Sequence, residues 1–308
     1  MIPHQAVTAD TPAPPPEAVE AGGINETASV WRAIARVFVT NRLATAALIL
    51  IILIALFCFL GPVLYHTNQN QTDLAIETRP PSASHPLGTD AVGFDQLGRL
   101  MLAGQSSLEV GVVAALLAGL FGSLWGATAG YLGGWVDAVM MRIVDSFLAI
   151  PFLLLALLFA SIFTPTIPIL IVIVAMVSWL MTARLVRGDA LSIRTREYVQ
   201  AAKGVGARPA RLVFRHIGPN AMGTIVVQTT FSVADAILLI AALSFLGLGL
   251  PPPAASWGQM LSDGINYIYD GYWWLIYPPG IMIILTVVSF NIVGDALRDS
   301  FEVRLQKR

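Results

Sequence analysis

Lysine, cysteine and charge are all scarce in this 308-residue chain. Only 12% of its residues are charged, where a soluble domain runs near a quarter, so a single water-solvated core is excluded. The two lysines, Lys203 and Lys307, follow Ala202 and Gln306. A phosphate-cradling P-loop needs Gly-Lys followed by Ser or Thr, so ATP, if it is used, must be hydrolysed on another chain. The one cysteine, Cys58, excludes an intrachain disulfide and, lying inside an apolar run, reads as packing. Four histidines (His4, His66, His85 and His216) are too scattered to suggest a metal site. A formal net charge of -1 offers no basic domain for phosphate, which argues against a nucleic-acid partner.

Uncharged apolar sequence is what the chain has in abundance. No charge falls in Leu43 to Tyr65, Val110 to Val136, Phe147 to Ala183 or Tyr272 to Gly294. Each window exceeds the roughly 20 apolar residues that cross a bilayer. The fold class is therefore an all-α polytopic membrane protein. Phe147 to Ala183 would be about 55 Å long as one helix, far more than a bilayer about 30 Å thick, and Thr164-Pro165-Thr166-Ile167-Pro168 supplies the turn. That run holds most of two helices, one beginning near Val139 and one from Ile167 to about Arg184. With Leu43 to Leu64, Val110 to Leu132, Met222 to Leu250 and Trp273 to Asp295, six spanning helices are predicted.

Residues 1 to 41 are polar and proline-rich without an apolar core, so a flexible tail before an uncleaved first helix, 42 to 65, is expected. Basic residues near helix ends set orientation. One side receives Arg32, Arg36, Arg42, the eight basic residues from Arg184 to Arg215, Arg298, Arg304, Lys307 and Arg308. The other receives Arg79 and Arg99. Both termini are thus predicted to be cytoplasmic, with an extracytoplasmic loop over 66 to 107, a five-helix core over 108 to 295 and a short tail over 296 to 308. Tyr267, Tyr269, Tyr272, Trp273 and Trp274 read as an aromatic anchoring belt at the outer interface.

Few residues inside the spans could carry chemistry. Ala118, Gly122, Gly126 and Gly130 put a small residue at every fourth position of the second helix, a ridge that lets another helix backbone approach. Asp235 lies near the middle of the fifth helix, where a carboxylate costs roughly 2.5 to 3.5 kcal/mol, and it should face a hydrated path or a polar partner. Arg142 and Asp145, three apart on one face, are candidates for a local ion pair or a gate.

The most informative segment lies between the fourth and fifth helices, over residues 196 to 220. Tyr198, Ala201, Ala202 and Val205 share a helical face, Gly206 can break that helix, and Pro209 can open another. The product is a rigid knob of little side-chain bulk. Spacing alone leaves open whether it docks into a cleft of another protein or lies against anionic lipid.

Its residues are also familiar. Ala201, Ala202 and Gly206, with Glu197 before them and His216, Pro219 and Asn220 after, resemble the EAA loop of ABC importer permeases, although Gln200 stands where that family usually has Glu. His85-Pro86-Leu87-Gly88-Thr89-Asp90, Arg142-Ile143-Val144-Asp145 with Ala149-Ile150-Pro151, Leu243 to Gly249 with Ser256-Trp257-Gly258, and Gly294 to Asp299 are similar to the C-type permease subunit of dipeptide and oligopeptide importers. Asn41 to Glu302 is covered. A second departure is Asp235, because members often carry Glu at the position of Ile240.

The resemblance implies the type I ABC importer permease fold in a bacterial inner membrane. Implied partners are a homologous second permease, two ATP-binding subunits that hold ATP and magnesium, and an extracytoplasmic peptide-binding protein. This chain would bind no cofactor and catalyse no reaction. Its coupling residues would be Glu197, Gln200, Ala201, Ala202, Gly206, His216, Pro219 and Asn220, with Arg142, Asp145 and Asp235 near the pathway. Peptide, glutathione and nickel-chelate importers share these motifs. Two rivals remain at this level. An ion-coupled transporter would use Asp235 as its proton site and often shows inverted repeats. An intramembrane enzyme would need a nucleophile and base at membrane depth, which Asp235 alone does not supply.

Overall fold

The computed structural model describes residues 38–67, 69 and 71–306. Most of the predicted N-terminal tail, residues 1–37, lies outside them. Among the described residues the chain is helical, with one isolated bridge between Thr89 and Asp95. Among the described residues five helices are long and apolar enough to cross a membrane, and counting one bent helix pair as a span makes six.

The first span, α1, is Arg42–Leu64, opened by the Asn41 side chain, which accepts from the amides of Leu43 and Ala44. One side of α1, with Ala44, Ala47, Ile54 and Cys58, is buried, whereas Ile49, Leu53, Phe59 and Leu60 face outward. An uncovered apolar face is what a bilayer-facing helix requires.

The second span, α2, is Gln96–Leu132 and starts well before the predicted Val110. Asp95 caps it, accepting from the amide of Gly98 at 2.8 Å, so the end of the predicted 66 to 107 loop is helical. Its first turns are polar, which a hydropathy window cannot recognise as part of a span.

The third span departs furthest from expectation. It begins at Gly134 rather than near Val139 and is two helices, α3 (Gly134–Leu148) and α4 (Phe152–Ile162), meeting at 83°. Pro151 supplies no amide hydrogen and disfavours helical backbone at Ile150, so the helix cannot run through Ala149-Ile150-Pro151. The fourth span, α5 (Ile167–Ile193), is capped by Thr166 and outlasts its predicted end near Arg184. Val186, Ala190 and Ile193 stay buried there while the intervening charges point away from the core, so the helical period continues.

After α5 come α6 (Glu197–Gly204), α7 (Pro209–Leu212) and a π-turn over Val213–Ile217. The fifth span, α8 (Met222–Leu243), ends in a second wide turn over Ser244–Leu248. A short helix, α9 (Trp257–Ile265), precedes α10 (Trp273–Gln306), which continues through most of the predicted C-terminal tail.

Packing is closest between α2 and α5, along the glycine ridge. A Cβ added at Gly122 would lie 2.6 Å from the Trp179 carbonyl oxygen, and one at Gly130 would lie 2.7 Å from the Ala190 Cβ. The ridge therefore packs helices within this chain. On one side α4, α5 and α8 share an apolar core that includes Ala156, Leu170, Val174 and Leu243. On the other, α1, α2, α8, α9 and α10 enclose Trp257, which is fully buried. Its indole donates to the Leu100 carbonyl at 3.1 Å and its amide to Ser107 at 3.2 Å.

The segment between α1 and α2 folds back on this end of the bundle. Asp95 accepts from Tyr65 at 3.0 Å and lies 2.8 Å from His85 Nδ1. Burial, then the bond to Asp95 and its charge, push the Tyr65 phenol up to about 12. Trp274 donates to the Thr89 carbonyl at 3.2 Å and is only 6% exposed. The predicted aromatic belt thus divides: Trp274 is an internal strut, while Trp273 and Tyr269 face outward.

Candidate functional site

The segment from Glu197 to Asn220 forms a compact two-part knob. Glu197 opens α6, and the helix ends in a glycine cap of local backbone origin. Gly206 takes φ +82° and donates to the Lys203 carbonyl at 3.0 Å, while Ala207 donates to the Ala202 carbonyl at 3.1 Å. That pair of bonds reverses the chain and satisfies the last turn. Arg208 then adopts extended backbone and Pro209 takes the first position of α7, where its missing amide hydrogen costs nothing.

The two parts touch through Tyr198 and His216, whose rings lie 6.1 Å apart. Asn220 donates to the His216 carbonyl at 2.6 Å, which closes the turn before α8. Pro219 is exposed beside it. Gln200, exposed on α6, donates to the Arg194 carbonyl at 2.7 Å and so ties the knob to the end of α5.

One side of the knob is buried. Val199, Leu212 and Ile217 are each at most 1% exposed and pack on Ala127 of α2 and Val186, Ala190 and Ile193 of α5. Ala202 is half-buried against them. Away from that base the knob is uncovered: Val205 is 88% exposed and Tyr198 41%, with Ala201 exposed beside them, while Phe214, 66% exposed, lines a cavity with Leu116 and Leu120 of α2 and Met222 of α8. The face predicted from Tyr198, Ala201, Ala202 and Val205 is therefore largely an outward one, and Val199 is the residue that anchors the helix inward.

Charge pairs join this base to α3. Arg187 on α5 binds Asp137 on α3 through two bonds of 2.6 Å. Arg184 on α5 binds Asp145 on α3. Arg194 donates to the Gly130 carbonyl at 3.0 Å, placing a cation on the C-terminal turn of α2. Asp145 therefore pairs with Arg184, and not with Arg142 as its sequence spacing suggested. Asp137, Arg187 and Arg194 were not singled out from sequence, since no local motif links a carboxylate to a guanidinium some 50 residues on.

Asp235 stands apart from that network. Ala234 and Ala236 on either side of it are buried, while Asp235 itself is exposed on α8. Thr224 and Gln228 fall within about 20° of it on the helix, giving α8 a polar stripe. Ile240 is 2% exposed, so the position where relatives of this motif often carry an acid points into the core, and Asp235 does not replace it. Arg142 is exposed on α3, and among the described residues no ion pair joins it or Asp235 to another charge.

Similarity to known proteins agrees with this architecture. Residues 122–307 match the family described as binding-protein-dependent transport system inner membrane component. Residues 29–81 match the N-terminal TM domain of oligopeptide transport permease C. The chain is 40% identical over 279 residues to the oligopeptide transport system permease protein OppC of Bacillus subtilis, covering 91% of each. It is 42% identical over 276 residues to OppC of Escherichia coli K12, covering 89% of this chain and 91% of that one. With the dipeptide transport system permease protein DppC of Bacillus subtilis it shares 38% identity over 291 residues, 94% of this chain and 90% of the relative. A bundle of five spans and a bent sixth, its glycine-capped knob and these matches together place the chain, as a multi-pass inner-membrane protein, in the binding-protein-dependent transport system inner membrane component family of ABC transporter permeases.

Proposed function

We propose that this chain forms half of the translocation pathway of an ATP-driven importer for di- or oligopeptides. An extracytoplasmic binding protein delivers the peptide, a homologous second permease supplies the other half, and two ATP-binding subunits hold ATP and magnesium. The knob from Glu197 to Asn220 is the contact with an ATP-binding subunit. The observation that carries this reading is the two-sided knob, with Val199, Leu212 and Ile217 sealed against α2 and α5 and Val205 and Tyr198 left uncovered. A body anchored so firmly at its base transmits displacement to α5 and α8 instead of absorbing it. The names of the relatives support peptide as the substrate class. Asp235, with Gln228 and Thr224, faces the pathway, because an exposed carboxylate at mid-span is poorly tolerated by acyl chains.

Gly206→Trp tests the coupling role. No atom outside the local chain lies within 4 Å of a Cβ built at Gly206, but its φ of +82° strains any L side chain, so the indole both distorts the corner and enters the space an ATPase would fill. In proteoliposomes holding the complete importer, the variant should insert and assemble its permease pair but lose peptide-stimulated ATP hydrolysis. Undiminished stimulation would refute the contact, and peptide uptake driven by a proton gradient without ATPase subunits would refute the importer reading as a whole.

A further inference from the structure

The first half of the third span is not placed to cross a bilayer. α4 is about 16 Å long and packs beside Leu170, Ile173 and Val177 of α5, so it follows the bundle. The 83° bend then carries α3 across the bundle at its cytoplasmic end.

α3 has three sides. Asp137, Met141 and Val144 face α2 and α5 and are buried. Trp135 (78% exposed), Val139 (51%), Ile143 (40%) and Phe147 (41%) form an apolar arc about 120° wide at 100° per residue. Next to that arc lies a third side of Ala138, Arg142 and Asp145, all exposed, while exposed Ser146 falls within the arc between Trp135 and Val139. Along the membrane normal, Arg142 would sit about 12 Å and Asp145 about 16 Å from the start of the helix, inside the acyl region. In the membrane plane the same side chains share one depth, with carbon below them and water above. The Asp145 charge is matched by Arg184, whereas Arg142 has no ion-pair partner among the described residues.

We propose that α3 is an in-plane helix of the cytoplasmic leaflet, its apolar arc against the acyl chains and Arg142 against an anionic phospholipid headgroup. This inference goes beyond the transport reading and does not depend on substrate or energy source. Its site is formed by one helix with an acyl-facing arc, a tryptophan at its end and an unmatched cation on the water-facing flank, the pattern of interfacial amphipathic helices.

Depth measurement by spin labelling decides it. In the Cys58→Ala background, a nitroxide is placed in turn through Trp135→Cys, Val139→Cys, Ile143→Cys and Phe147→Cys, and the complete importer is reconstituted into nanodiscs containing phosphatidylglycerol. Collision with oxygen and with a water-soluble nickel chelate reports the immersion of each label. An in-plane helix puts all four within about 5 Å of one depth, whereas a spanning helix spreads them over about 18 Å. A spread of that size overturns the proposal, and so does exclusion of both colliders at all four positions, which would mean that the second permease covers the arc. In the second arm, phosphatidylglycerol added to detergent micelles should raise the melting temperature of the wild-type importer more than that of Arg142→Gln. An equal gain removes the headgroup contact at Arg142.

Discussion

Adding a single methyl group at Gly126 probes the closest helix contact in the protein. The built Cβ would lie 2.9 Å from the Arg187 amide nitrogen and against the Ala183 carbonyl group. Both are backbone atoms of α5, so no rotamer change relieves the clash and the two helices must part. Overpacking of this kind costs about 1–3 kcal/mol, against a gain of roughly 1 kcal/mol from replacing glycine by alanine inside a helix. The net for Gly126→Ala is a loss of up to about 2 kcal/mol. Gly188, on the same helix pair but exposed, supplies the control, because nothing lies within 4 Å of its Cβ. Gly188→Ala should therefore be neutral or stabilising by up to about 1 kcal/mol. Thermal denaturation of the purified importer should separate the two variants by several degrees, on the order of 2–4 °C per kcal/mol. The reasoning fails if Gly126→Ala melts above the wild type or level with or above Gly188→Ala.

Three further outcomes follow from the arrangement. With buried Cys58 as a silent background, Ser82→Cys should react with a membrane-impermeant thiol reagent in intact cells and Ser192→Cys only after lysis, and the reverse pattern would invert the topology. Asp235→Asn should leave assembly and ATP hydrolysis intact while shifting the uptake ratio of basic to neutral peptides by about fivefold, the equivalent of roughly 1 kcal/mol for a solvated unit charge at 4 Å. Vesicle uptake of both peptide classes measures this, and an unchanged ratio removes Asp235 from charge selection. Gln200→Glu replaces an amide donor facing the Arg194 carbonyl with a carboxylate that can only accept, so amides of α6 should exchange with deuterium several-fold faster, for a loss of about 1 kcal/mol. Unaltered exchange over 197–206 would show that this bond does not hold the knob.

Apolar length alone carried most of the spans. A run such as Leu43 to Tyr65 has no low-energy home other than lipid, and its backbone must then be helical, so α1 was legible without tertiary information. The corner of the knob was legible for a similar reason. Gly206 and Pro209 act through their own backbone chemistry, which depends on neighbours in the chain alone.

What the sequence could not determine is whatever depends on which helices become neighbours. Asp145 meets Arg184 across 39 residues and Asp137 meets Arg187 across 50, pairings that exist only after the glycine ridge has drawn α5 onto α2 and α3 has folded against both. Local spacing offered Arg142 to Asp145 instead, but packing of α3 against α5 brings Arg184 to that carboxylate. Trp274 read as a membrane anchor because its composition is that of one, yet the returning segment between α1 and α2 brings the Thr89 carbonyl to its indole and buries it. Ala149-Ile150-Pro151 read as part of one continuous helix, and the 83° turn there needed both the backbone restriction of Pro151 and a place for α4 along α5. Hydropathy and backbone preference belong to a stretch of chain, whereas charge pairing, burial and the direction of a bent helix belong to the packed bundle, where a neighbour's position decides which of several locally acceptable arrangements has the lowest free energy.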